Sequence, residues 1–155
     1  MAVLNGDDSA SELAIRDLTA RFSDAVNRRA ADDIGALFAR DGLWDVHGMP
    51  LAVGPEAVSK QFEGLIGRFD FLVQLPQSGV VDVDGSAATA RWYITEHCRD
   101  TEGSGSLFLG TYDDRHVLTE DGWRFAYRRF RFLYRGRDEL TGKSYAYEAL
   151  GDEAG

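Results

Sequence analysis

Leu18, Phe22, Ala25 and Val26 recur at helical spacing, Ile15 falls on the same stripe, and Arg16, Arg21, Asp24 and Arg28 take the other side. That pattern predicts an amphipathic helix. Ser9-Ala10-Ser11-Glu12 has the capping-box spacing, in which hydroxyl and carboxylate satisfy each other's orphan backbone N–H groups, so the helix is expected to start there. After a break at 29–31, Ile34, Leu37 and Phe38 form a shorter apolar stripe ended by Asp41-Gly42, which predicts a second helix. Residues 43–47 read as a short strand broken by Gly48-Met49-Pro50. Gly54-Pro55-Glu56 then puts proline at a first helical position, and Val58, Phe62, Leu65 and Ile66 supply the apolar face of a third helix.

The rest reads as strands over 70–75, 79–83, 87–98, 107–118 and 123–134. Asp84-Gly85, Gly103-Ser104-Gly105 and Glu120-Asp121-Gly122 provide the turns of long antiparallel hairpins. In the last strand Trp123, Phe125 and Tyr127 share one parity and Phe130, Phe132 and Tyr134 the other. A β-bulge at Arg128-Arg129 would keep one face apolar throughout. Its arginines are expected to meet the surplus acids or another subunit. Helices followed by antiparallel strands predict the α+β class, with a flexible start at 1–8, one domain over 9–135 and a partly ordered tail over 136–155.

Composition narrows the picture. The 155 residues carry 17 basic and 26 acidic side chains, a formal charge of -9, and one cysteine, Cys98. One core of this size needs no disulfide, and a lone thiol fits a reducing cytoplasm. No membrane-length apolar run occurs, and the acidic balance disfavours nucleic acid and anionic membrane, although arginine and aromatic residues interleave in the last strand. Arg124, Arg128, Arg129, Arg131, Arg135 and Arg137 concentrate positive charge there, leaving room for a local acidic ligand or a subunit contact.

Several words of sequence carry a resemblance: Ala-Val-Asn-Arg-Arg (25–29), Ala-Leu-Phe-Ala-Arg-Asp-Gly (36–42), Val-Asp-Val-Asp-Gly (81–85), Gly-Thr-Tyr (110–112) and Asp-Gly-Trp-Arg (121–124). In this order the chain resembles the nuclear transport factor 2-like superfamily, in the SnoaL-like branch with scytalone dehydratase and ketosteroid isomerase. The resemblance implies a cone-shaped fold of three N-terminal helices on a strongly curved antiparallel sheet. It further implies an apolar pocket for a small apolar, aromatic or polycyclic molecule, chemistry without metal or cofactor, and a homodimer or higher homo-oligomer formed through the sheet. By the same resemblance Phe22 stands at the isomerase's oxyanion-hole tyrosine, Val46 at its general base, Asn27 at the dehydratase's aspartate and Gln74 near its strand histidine. None of the four replacements can shuttle a proton near neutral pH. An alternative within the same fold is a non-catalytic assembly subunit similar to the small subunit of ring-hydroxylating dioxygenases.

Pocket shape is therefore expected from Phe22, Val46, Trp92, Tyr93 and Tyr112, with Asn27 and Gln74 orienting a ligand oxygen. Acid–base work, of the lyase, isomerase or cyclase kind, falls to His97, His116 and Asp114. His97 ends a strand at the expected cone mouth, and His116 and Asp114 share strand parity with Tyr112. His47 and Asp45 read as solvated or paired, and Cys98 as either a buried small hydrophobe or a reactive thiol. The histidines are too dispersed for a simple metal site.

Overall fold

The computed structural model describes residues 6–150. Helix α1 (Gly6–Arg28) buries Ile15, Leu18, Phe22, Ala25 and Val26, the predicted stripe. It starts ahead of Ser9, and no capping box forms: the Glu12 carboxylate is taken by Arg16 at 2.7 Å, one turn on. Arg29 reverses the chain with a φ of 59°, and its guanidinium donates to the Phe69 carbonyl at 2.9 Å, tying the turn to the sheet.

The second helix is shorter than its stripe suggested. α2 (Ala31–Gly35) ends before Phe38, which opens strand β1 (Phe38–Val46) instead. Spacing alone cannot separate these outcomes; pairing with the last strand decides, because Phe125 N–H donates to the Leu37 carbonyl at 2.9 Å and Phe38 aligns with Phe125. A two-residue strand, β2 (Ala52–Val53), pairs back on β1, and α3 (Pro55–Ile66) follows as expected, burying Val58, Phe62 and Ile66.

Four long strands complete the sheet: β3 (Phe69–Asp84), β4 (Ala87–Asp100), β5 (Gly105–Thr119) and β6 (Gly122–Arg137). The two strands expected over 70–75 and 79–83 are one, with a register shift between Pro76 and Gly79. Gly79 has to be small there, since a Cβ would overlap the Trp92 ring laid across it. The order is β2-β1-β6-β5-β4-β3, antiparallel except for the β1–β6 pair, and the curved sheet stays unclosed. Gly85, Gly103 and Gly122 occupy the turns with φ of 60°, 93° and 100°.

The bulges of β6 are displaced from Arg128-Arg129. Register shifts leave Ala126 and Leu133 as the extra residues, so the inward row runs Trp123, Phe125, Arg128, Phe130. The change of parity thus falls before Arg128 and turns that arginine into the core. Arg129 and Arg131 stay on the outer face and meet Asp113 and Asp45, as expected of arginines among surplus acids. Beyond β6 the chain to Leu150 has no regular structure, yet Arg99 holds it through the carbonyls of Leu140 and Gly142 at 2.8 and 3.0 Å. The first five residues of the predicted flexible start and the last five of the tail lie outside the described residues. No helix among the described residues is long and apolar enough to cross a membrane.

Candidate functional site

The inner face of the sheet is closed by α1 along β3 and by α3 beside β1, and a cavity of about 90 Å³ remains between them. Its wall is largely apolar, with Val46, Phe62, Leu72, Phe108, Phe130 and Phe132 among the residues that line it. Trp44 also borders it, with an indole N–H that has no hydrogen-bond partner. Three polar side chains from adjacent strands converge on this space: Gln74 of β3, Glu96 of β4 and Tyr112 of β5.

Their hydrogen bonds set their roles. Gln74 accepts from the Ser23 hydroxyl at 2.8 Å through Oε1, which fixes the amide's orientation. Its Nε2 then donates to Glu96 Oε1 at 2.6 Å and to the Tyr112 hydroxyl at 3.2 Å. Both amide hydrogens are thereby used, so Gln74 positions its two neighbours. The Tyr112 oxygen accepts from Gln74, leaving its own proton for whatever fills the cavity. No hydrogen bond reaches Glu96 Oε2 among the described residues, and Glu96 borders the same space. Burial pushes the Glu96 carboxyl above the usual carboxylate range, against the opposing pull of the Gln74 amide. Burial likewise pushes the Tyr112 phenol above its ordinary value, so it stays a neutral donor.

Of the residues expected at the pocket, Val46, Gln74 and Tyr112 line this cavity together. Phe22 is buried behind the wall, edge-on to Tyr112 at 5.5 Å between centroids. Asn27 spends its amide on the backbone of Gln74, donating to the carbonyl at 3.0 Å and accepting from the N–H at 2.7 Å. It therefore anchors β3 to α1, and it does not line the cavity. Trp92 is buried with its indole donating to Asp114 at 2.9 Å, and Tyr93 points from the outer face, 44% exposed.

The three expected acid–base residues lie elsewhere. His97 is on the outer face, 2.7 Å from Asp138 of the tail. Asp114 and His116 do follow Tyr112 along the inner face, but they are sealed in the packed end of the core. Arg128 donates to Asp114 at 3.0 Å, and burial pushes the Asp114 carboxyl up to about 6 despite that partner. His116 Nε2 stands 3.8 Å from the same carboxylate, and burial with the charge of Arg128 pushes its ring down to about 3. Cys98 is a buried thiol pushed up to about 12, chiefly by burial and then by Glu96, which makes it unreactive.

Glu96 is the residue that sequence reasoning missed. The signal was its parity: Trp92, Ile94 and Glu96 alternate onto one face, so an inward Trp92 implies an inward carboxylate. A wider recess of about 350 Å³ lies on the outer face, where Arg91 and Arg129 both bind Asp113, at 2.9 and 3.1 Å. Arg91, Asp113 and Arg129 there satisfy one another, and the recess lacks the apolar enclosure of the inner cavity. No group of three His, Cys, Asp or Glu side chains among the described residues is arranged to hold a metal ion.

Comparison with known proteins agrees with this architecture. A family model described as a SnoaL-like domain matches residues 7–129. An uncharacterized protein of Mycobacterium tuberculosis, Rv2910c, is 29% identical over 131 residues, covering 82% of this chain and 88% of its own length. Among solved structures, the hexachlorocyclohexane dehydrochlorinase LinA-type3 of Novosphingobium barchaimii superposes with a TM-score of 0.80 at 19% identity, over 92% of this chain and 98% of its own. A scytalone dehydratase candidate of Novosphingobium aromaticivorans gives 0.76 at 21% identity, over 93% and 95%. Such identities speak for a shared fold and leave the chemistry to the site.

Proposed function

The chain belongs to the SnoaL-like domain family, and from that premise we propose that it binds a small, largely apolar molecule and moves a proton on carbon without a cofactor. The observation that carries this reading is Glu96: one carboxylate bordering an apolar cavity, held through Oε1 by Gln74, with Oε2 free of hydrogen bonds to the described residues. Ionised, it is a stronger base than a solvated glutamate, because burial favours its protonated form. Tyr112 donates from the other side of Gln74 to an oxygen or leaving group where negative charge develops.

Two outcomes follow from that pair. If the bond beyond the deprotonated carbon breaks, its electron pair departs with the group hydrogen-bonded to Tyr112, a carbon–carbon double bond forms, and the reaction is a lyase elimination. If Glu96 instead returns the proton to a different carbon, the reaction is an isomerisation. The solved relatives named for dehydrochlorination and dehydration carry names of eliminations, which supports the first class. Acid–base work passes from His97, His116 and Asp114 to Glu96, since none of the three borders the cavity.

Size limits the substrate. A cavity of about 90 Å³ is well under the roughly 300 Å³ at which drug-sized sites begin and under the roughly 150 Å³ of an apolar cavity that takes benzene, so even a single ring requires the wall to give a little and a polycyclic guest requires it to open. The outer sheet face, with Leu75, Val80, Tyr93 and Leu109 exposed, supports the proposal of a homodimer through the sheet.

The test is deuterium wash-in from D2O into 2-cyclohexen-1-one, followed by NMR. The wild-type chain should catalyse exchange beside the carbonyl, and Glu96→Gln should slow it roughly 100-fold or more while remaining folded. Equal rates in the two proteins would remove Glu96 from the mechanism.

A further inference from the structure

Arg128 is 0% exposed and lies beneath the cavity without bordering it. Its guanidinium carbon is 3.8 Å from the centre of the Tyr112 ring, 4.2 Å from Phe125 and 4.3 Å from Phe22. Nε donates to Asp114 at 3.0 Å, Nη2 reaches the Thr19 hydroxyl at 3.4 Å, and Nη1 is unpartnered. A fully buried ion pair with an unused N–H is a poor stabiliser compared with apolar side chains of the same volume. The ion pair alone therefore does not account for its presence. Its position does suggest a role, because of the three rings it touches only Tyr112 fronts the cavity and carries a hydroxyl.

A cation against the face of a phenol attracts its π electrons and stabilises negative charge growing on the oxygen. We infer that Arg128 is a positioning residue for the cavity: it clamps the Tyr112 ring and strengthens the Tyr112 hydroxyl as a hydrogen-bond donor to the guest. The groups acting on that hydroxyl come from four strands. Gln74 of β3 donates to it, Glu96 of β4 and Asp114 of β5 oppose a charge on it, and Arg128 of β6 favours one. The guest's benefit rests on the proposed function, whereas the effect on Tyr112 is a property of the empty protein.

The experiment places a multiply fluorinated tyrosine at position 112 of the full chain and follows its titration by 19F NMR without ligand. Arg128→Met should raise the midpoint by on the order of one pH unit. Because Arg128→Met strands Asp114 and can unfold the chain, a second variant, Arg128→Met with Asp114→Leu, replaces both charges with apolar groups. It should show a smaller rise, as the favourable effect of Arg128 outweighs the opposing one of Asp114. An unchanged midpoint in the double variant overturns the inference. A raised midpoint together with equal deuterium exchange in wild type and Glu96→Gln would keep the Arg128 effect and remove the catalytic reading instead.

Discussion

At one end of the inner sheet face Glu96 and Tyr112 border open space; farther along the same β4–β5 pair, Asp114 and His116 are sealed among Trp92, Phe125 and Arg128. At both ends a carboxyl is pushed above its ordinary value by desolvation, so perturbation alone does not distinguish them. Access does. Asp114 has both oxygens committed, one to Arg128 and one to Trp92, whereas Glu96 borders the cavity with one oxygen held and the other without a hydrogen bond. The packed end makes a floor, and the open end can meet a guest.

Replacing one member of each set should sharpen that contrast. Asp114→Ala leaves the Arg128 charge buried without a partner and should cost about 3–5 kcal/mol of stability in chemical denaturation. Glu96→Gln should do the reverse, losing exchange activity while unfolding at the same or higher denaturant concentration at neutral pH. The sign follows from its raised folded value: the unfolded chain gives up the Glu96 proton first, so stability falls as pH climbs past the ordinary glutamate range, and glutamine removes that penalty. A Glu96→Gln chain destabilised as much as Asp114→Ala would erase the distinction between the ends.

Smaller effects probe what holds each end in place. Asn27→Ala should cost about 1–3 kcal/mol by stranding the Gln74 backbone, and hydrogen exchange at the Gln74 amide should rise. His116→Leu removes a buried polar ring that makes no hydrogen bond to another side chain, and should stabilise by up to about 1 kcal/mol at pH 8. The gain should grow as pH falls from about 6.5 toward 3, because the unfolded chain protonates that histidine before the folded one does. A loss of stability at pH 5 would mean that the packed end uses the charged ring.

The order of helices and strands was legible because apolar spacing changes from helical to alternating after α3. Phe38 escaped because its partner, Phe125, lies in a strand far along the chain. The bulge at Ala126 escaped for a similar reason: parity shows that a change must occur, and only the register against β5 locates it before Arg128. Strand parity correctly grouped Tyr112, Asp114 and His116 on one face. It says nothing about where along that face space remains, which depends on how Trp92 and Arg128 fill one end and leave the other open. Gln74, Val46 and Tyr112 fell at the open end, and Glu96 was there to be found by applying to β4 the alternation already used on β5.

The most direct test of the account is the titration of Glu96 itself, by 13C NMR of the chain labelled at glutamate carboxyls and assigned by loss of one signal in Glu96→Gln. The account predicts a midpoint above the roughly 4.3 of a free glutamate, moving higher when 2-cyclohexen-1-one occupies the cavity and displaces water from Oε2. An ordinary midpoint that does not respond to the probe would contradict it.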